Sequence, residues 1–87
     1  MRHINNLIEN GDIEDAFRQL DAIIQHQPEN DDALFQRGKL FWKMGDTTRA
    51  MNDYAAAARI NPDSPAATAL EHANEIQSFF NPDLLNP

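Results

Sequence analysis

The sequence predicts an all-α fold, a stack of antiparallel helix pairs, from two observations. The first is a chemical pattern that returns after 34 residues: Gly11-Asp12 as Gly45-Asp46, Ala16 as Ala50, Leu20 as Tyr54 and Pro28 as Pro62. A fixed period of this length is typical of helical hairpins that bury their apolar faces only by stacking on one another. The second is that apolar residues between the turns follow helical spacing, and no segment alternates as a strand would. About five helices are expected.

Composition limits what such a stack could do. The 87 residues suffice for one small domain, and the chain has no cysteine for a disulfide, a thiolate metal site or a nucleophile. Its 14 acidic and 7 basic residues give a net charge of −7. Because the basic residues are scattered, nucleic acid is not expected as a partner. The absence of a long apolar run and of a secretory signal predicts no membrane partner and a cytoplasmic protein.

The first two helices are predicted around a glycine turn. The first covers about residues 2–10 and ends at Asn10-Gly11, because glycine readily adopts the left-handed conformation common just after a helix. Asp12 is expected to cap the second helix by accepting hydrogen bonds from first-turn amides through its carboxylate. Pro28 ends this helix. Its apolar stripe consists of Ala16, Phe17, Leu20, Ile23 and Ile24.

The third helix is expected to be contacted on several sides. Glu29-Asn30-Asp31-Asp32 opens it, and it runs to about Met44. Its apolar residues spread around much of the helix circumference, which indicates a central position in the stack. They are Leu34, Phe35, Leu40, Phe41, Trp42 and Met44.

The last two helices have clear starts. Gly45-Asp46 repeats the earlier turn before the fourth helix, and Ser64-Pro65 opens the fifth with a serine cap and a proline at the first helical position. The fifth helix is predicted to reach about Phe80, where Asn81-Pro82 breaks it. Four apolar residues near this end either fold back on the fourth and fifth helices or dock on another chain: Phe79, Phe80, Leu84 and Leu85.

Nine residues of the third and fourth helices have the identity and spacing of a known repeat: Leu34, Gly38, Phe41, Gly45, Asp46, Ala50, Tyr54, Ala57 and Pro62. On these residues the chain resembles the tetratricopeptide repeat family. Arg37 departs from the pattern, since leucine is usual there. The resemblance implies a right-handed superhelical α-solenoid formed by one domain over residues 1–80. Within it, 1–30 would be a shortened first repeat, 31–64 a complete repeat and 65–80 a capping helix, followed by the tail 81–87.

The resemblance also implies a binding surface. In this family the first helices of successive repeats line a concave groove that receives an extended or helical peptide of a partner protein. The corresponding residues here are Asn5, Ile8, Glu9, Asp32, Phe35, Lys39, Trp42, Lys43, Ile76 and Gln77. Phe35 and Trp42 are either core residues or exposed aromatic anchors. Lys39 and Lys43 either attract an acidic peptide or are ordinary solvated charges.

Other classes of function find little support in the sequence. The histidines, His3, His26 and His72, have no neighbours in a recognisable metal-site pattern, and the acidic clusters lie at helix starts, where capping explains them. No catalytic residues, metal or cofactor are therefore expected. The alternative to a peptide-binding module is a self-associating subunit, a homodimer formed through the groove or the end helices.

Overall fold

In a computed structural model, the backbone of residues 2–80 and the side chains of residues 2–75 are described. This part of the chain contains five helices and no strand, which confirms the all-α helical repeat fold. The helices are α1 (Arg2–Glu9), α2 (Ile13–His26), α3 (Asp31–Lys43), α4 (Thr47–Ile60) and α5 (Pro65–Phe80). Consecutive helices pack on one another. Since short turns join them, each helix runs antiparallel to the one before it.

The 34-residue repetition extends to the hydrogen bonds of two turns. After α1, the amide of Asp12 donates to the carbonyl of Leu7 at 2.8 Å, and Gly11 has a φ of 86°. After α3, the amide of Asp46 donates to the carbonyl of Phe41 at 2.9 Å, and Gly45 has a φ of 85°. Both turns satisfy the last helical carbonyls with glycine in the left-handed conformation. The predicted role of these glycines is confirmed.

Side chains cap three of the helices. Asn30 accepts from the amide of Ala33 at 3.0 Å at the start of α3. Asp46 does the same for α4 with the amide of Arg49 at 3.2 Å, and the hydroxyl of Ser64 accepts from the amide of Ala66 at 3.1 Å. The predicted serine cap of α5 is therefore confirmed.

Asp12 corrects one expectation. It occupies the N-cap position of α2, but its carboxylate accepts no capping hydrogen bond. Capping residues typically have an extended backbone. The ψ of Asp12 is 60°, compared with 91° for Asn30 and 76° for Asp46, both of which cap their helices.

Two apolar clusters form the core, and α3 contributes to both of them. Ala33 and Leu40 face the first cluster, whereas Leu34 faces the second, which confirms that α3 is contacted on several sides. The buried members of the first cluster are Ile4, Ala16, Leu20, Ala33 and Leu40. Those of the second are Leu34, Ala50, Tyr54, Ala57 and Ala66.

Arg37 joins α3 to both neighbouring helices. Its guanidinium donates two hydrogen bonds of 2.8 Å to the carboxylate of Asp53 on α4 and one of 3.0 Å to Asp21 on α2. The hydrogen bonds to Asp53 are the main cause that raises the pKa of Arg37 above its ordinary value, so it stays protonated. Asp53 itself is buried. The arginine that departs from the family pattern thus has its own partners in this chain.

Candidate binding groove

An open cleft of about 240 Å³ lies between α1 and α3. Its apolar part consists of Ile8, which is half-buried, and Leu40, which is only 2% exposed and belongs to the first core cluster. Amides and charges surround this apolar part. The full lining is Asn5, Ile8, Glu9, Gln36, Lys39, Leu40 and Lys43.

The cleft follows from helix direction and residue spacing. Both α1 and α3 run antiparallel to α2, and therefore parallel to each other. The lining residues of α1 are three and four positions apart, and those of α3 continue this spacing to seven. Residues so spaced lie on one face of a helix. The cleft is thus the seam between two parallel stripes of side chains.

The structure brings together half of the residues that the resemblance assigned to the groove. Asn5, Ile8 and Glu9 line the cleft from α1, and Lys39 and Lys43 line it from α3. Asp32 is exposed in the first turn of α3 and is not part of the lining. The side chains of Ile76 and Gln77 lie outside the described residues, as do those of Phe79 and Phe80 and the whole tail 81–87.

Two lining residues, Gln36 and Leu40, were not among the predicted groove residues. Gln36 lies three residues before Lys39 and seven before Lys43, so helical spacing alone could have added it. No feature of the sequence indicated that Leu40 would line the cleft. It is a buried core residue that borders the cleft, and a sequence does not show which core residues lie beneath a surface cleft.

Phe35 and Trp42 lie next to the cleft-lining face of α3, four and three positions from Lys39, and pack against the second core cluster. Both side chains are half-buried, and neither lines the cleft. The ring of Phe35 lies 5.9 Å from that of Tyr54, centroid to centroid, and the ammonium of Lys39 lies 4.9 Å from the Phe35 ring centroid. Burial, with a smaller effect of the Asp53 charge, raises the pKa of the Tyr54 hydroxyl. These aromatic rings therefore contribute to packing between α3, α4 and α5.

Replacing Trp42 with alanine is expected to destabilise the fold by roughly 2 kcal/mol, below the range for a fully buried aromatic because this side chain is only half-buried. Urea denaturation followed by circular dichroism measures the loss. Lys43→Ala, at the exposed neighbouring position, is the control and should change the free energy of unfolding by less than about 0.5 kcal/mol. Equal stability of the two variants would show that Trp42 does not pack in the core.

The two lysines of the cleft differ from three of the arginines. Arg18, Arg37 and Arg49 form ion pairs with aspartates. Lys39 and Lys43 are exposed, and within residues 2–75 neither is in an ion pair. The cleft thus carries two positive charges and one negative charge, that of Glu9, on an acidic chain.

The described residues place no three histidine or acidic side chains together as metal ligands. Among helices α1 to α5 as described, none combines the length and apolarity needed to cross a membrane.

The sequence model of the tetratricopeptide repeat family matches residues 1–65. The chain belongs to the tetratricopeptide repeat family. Such repeats are generally protein–protein interaction modules rather than catalysts. In this tetratricopeptide repeat protein, the matched region includes both helices that line the cleft.

A solved structure shares the fold over nearly the whole chain. It is the solution NMR structure of protein BF1650 of Bacteroides fragilis, which is 38% identical to this tetratricopeptide repeat protein, with a TM-score of 0.85. The similarity covers 98% of this chain and 87% of that one. No curated protein matches this chain at a significant level.

Proposed function

We propose that this protein is a non-catalytic adaptor that binds a peptide or helix of a partner protein in the cleft between α1 and α3. The observation that carries the proposal is an open cleft in which the half-buried Ile8 is flanked by amide and charged side chains of α1 and α3. This combination is typical of binding surfaces, where apolar contacts provide affinity and polar groups at the edge set orientation.

The open shape of the cleft favours a polypeptide partner. Small-molecule sites usually bury most of their ligand. At about 240 Å³ and open to solvent, this cleft has room for a few side chains of a larger partner. Because Leu40 is fixed within the first core cluster, the surface needs little ordering on binding, which lowers the entropic cost of association.

The proposal is tested by filling the cleft without disturbing the core. Asn5 is exposed and lines the cleft, so Asn5→Trp should occupy it, whereas Asn6→Trp places the same side chain at an exposed position outside the lining. Peptides selected from a random phage-displayed library on the unaltered protein serve as probes. We expect Asn5→Trp to weaken their binding at least about tenfold, a loss of about 1.4 kcal/mol, and Asn6→Trp to leave it unchanged.

Nuclear magnetic resonance identifies where those peptides bind. On titration, the amide resonances of Ile8, Lys39 and Lys43 should shift together. Selection of no peptides, or equal binding to both tryptophan variants with shifts confined to other helices, would contradict this site.

A further inference from the structure

We propose that Asn10 is a site of spontaneous modification, where the side-chain amide is lost and the backbone rearranges to isoaspartate, which releases the end of α1 from its turn. An asparagine followed by glycine forms a cyclic imide more readily than one followed by another residue, because glycine has no Cβ to crowd the attacking nitrogen. Asn10 is the only asparagine in the sequence that precedes a glycine.

The reaction needs only the chain and water. The backbone nitrogen of Gly11 gives up its proton to solvent and attacks Cγ of Asn10. A bond forms between these two atoms, the bond from Cγ to Nδ2 breaks, and Nδ2 takes a proton from solvent and leaves as ammonia. Water then opens the imide at one of its two carbonyl carbons. Breaking the new bond gives aspartate, whereas breaking the original peptide bond gives isoaspartate, in which the backbone runs through Cγ.

The surroundings of the site leave room for this ring. Asn10 and Gly11 are both exposed. Apart from its chain neighbours, a Cβ built on Gly11 would meet no atom of the described residues within 4 Å. Packing around the turn therefore does not obstruct the approach of the nitrogen to the Asn10 side chain.

The hydrogen bonds of the turn oppose the reaction. The amide of Gly11 donates to the carbonyl of Ile8 at 3.1 Å, and that of Asp12 donates to the carbonyl of Leu7 at 2.8 Å. The nitrogen of Gly11 can attack only when the first of these bonds opens. The folded protein should therefore convert more slowly than the unfolded chain.

The packing of α1 determines how often that bond opens. This helix has eight residues, fewer than an isolated helix needs to be stable in water, and Ile4 is its buried residue. The helix α3, which ends in the same kind of turn, has four buried residues. Since segments with few buried contacts open locally at a low cost in free energy, the turn after α1 should open more often than the turn after α3.

Isoaspartate at position 10 does not fit this turn. It adds one atom to the backbone just before Gly11, within the rings that the hydrogen bonds of Gly11 and Asp12 close, so neither bond keeps its geometry. It also places a negative charge at the C-terminus of α1, which the helix dipole disfavours. The end of α1 is thereby released, and with it Ile8 in one wall of the cleft.

The site is tested by incubating the full chain at mildly alkaline pH and digesting samples for mass spectrometry. Asn10 should convert faster than the other asparagines, and labelling by isoaspartyl methyltransferase should identify the isoaspartate. Asn10→Met copies Met44 of the second turn and should show no conversion at this turn. If the folded chain shows no conversion of Asn10 over a period in which the chain unfolded in guanidinium chloride converts fully, the proposal is wrong.

A second asparagine–glycine turn provides the matched comparison. Met44 is 59% exposed, so Met44→Asn places the same two residues in a turn with the same hydrogen bonds. It should convert more slowly than Asn10 in the same molecule. Ile4→Val, which removes one buried methylene group from α1, should speed the conversion of Asn10 roughly fivefold. Equal rates at positions 10 and 44, unchanged by Ile4→Val, would contradict a reaction controlled by the opening of α1.

Hydrogen exchange followed by nuclear magnetic resonance measures the release of α1. In the isoaspartate form, the helix amides of Leu7 and Ile8 should exchange at least about tenfold faster, because two hydrogen bonds that hold the end of the helix are lost. Asn10→Asp adds the charge without the extra backbone atom and should exchange more slowly than the isoaspartate form. Unchanged exchange in the isoaspartate form would overturn the release of α1. These measurements concern Asn10 and α1 alone, so they hold even if the cleft proves to bind no peptide.

Discussion

Replacing Arg37 with alanine is expected to destabilise the protein by about 3 kcal/mol at neutral pH, the lower end of the range for breaking a buried ion pair. The side chain of Asp53 is 8% exposed, and both of its oxygens accept from Arg37 at 2.8 Å. Without the Arg37 guanidinium, the buried carboxylate would lose both of these hydrogen bonds. The lower end of the range applies because the Arg37 side chain is 23% exposed.

Such a loss is large for a chain of 87 residues, whose total stability is of the order of 4–13 kcal/mol. The melting temperature should fall by roughly 12–24 °C, as followed by circular dichroism. Asp21→Ala is the matched control, because Asp21 forms an ion pair with the same Arg37 guanidinium. Because the Asp21 side chain is 60% exposed, its removal should cost less than about 1 kcal/mol.

A double variant separates the ion pair from the packing of the arginine stem. Arg37→Leu with Asp53→Leu removes both charges and restores the leucine usual in the family at the first position. It should be much more stable than Arg37→Ala, because apolar replacement of a whole buried pair is often neutral. If Arg37→Ala and Asp21→Ala prove equally mild, the buried pair does not stabilise the fold.

Replacing Gly38 with valine is expected to cost about 3 kcal/mol or more. A Cβ at this position would lie 2.6 Å from Cε1 and 2.7 Å from Cδ1 of the Tyr54 ring, and 3.3 Å from the carbonyl oxygen of Ala50. The ring is 4% exposed and packed in the second cluster, so it has little room to move. Inserting one methyl into such a core typically costs about 1–3 kcal/mol, and the two further methyls of valine add to it.

The control places the same residue on the same helix but at the surface. Lys43→Val should cost no more than about 0.5 kcal/mol, the effect of a β-branched residue on helix propensity. Urea denaturation compares the two variants. In a chain that already carries Tyr54→Ala, the further cost of Gly38→Val should fall sharply, because the clashing ring is gone. An unchanged cost in that background would show that Tyr54 does not restrict this position.

The helices and their turns could be predicted because they depend on local chemistry. The left-handed conformation at Gly11 and Gly45 follows from the freedom of a residue without Cβ, and the start of α5 follows from Ser64 and Pro65. The stacking order follows from the 34-residue period. Asp12 shows where residue type alone fails, since it occupies the N-cap position of α2 but its side chain makes no capping hydrogen bond.

The candidate site was only partly predictable. Family spacing pointed to one face of α1 and α3, but it could not say whether a large side chain on that face turns toward the cleft or toward the next helix. Phe35 and Trp42 pack against the second cluster, beside the small side chains of α4 and α5.

The amino-acid sequence alone thus predicted the helices and their turns, because these depend on contacts within a few residues. It also indicated the family, because the family is defined by the repeat period and its residues. The tertiary structure was needed for everything that depends on contacts between distant residues. It showed that Arg37 has aspartates 16 residues away on either side, that Gly38 makes room for the Tyr54 ring, and that Leu40 is reached by the cleft. Burial and pairing are properties of the packed helices together, and no single segment carries them.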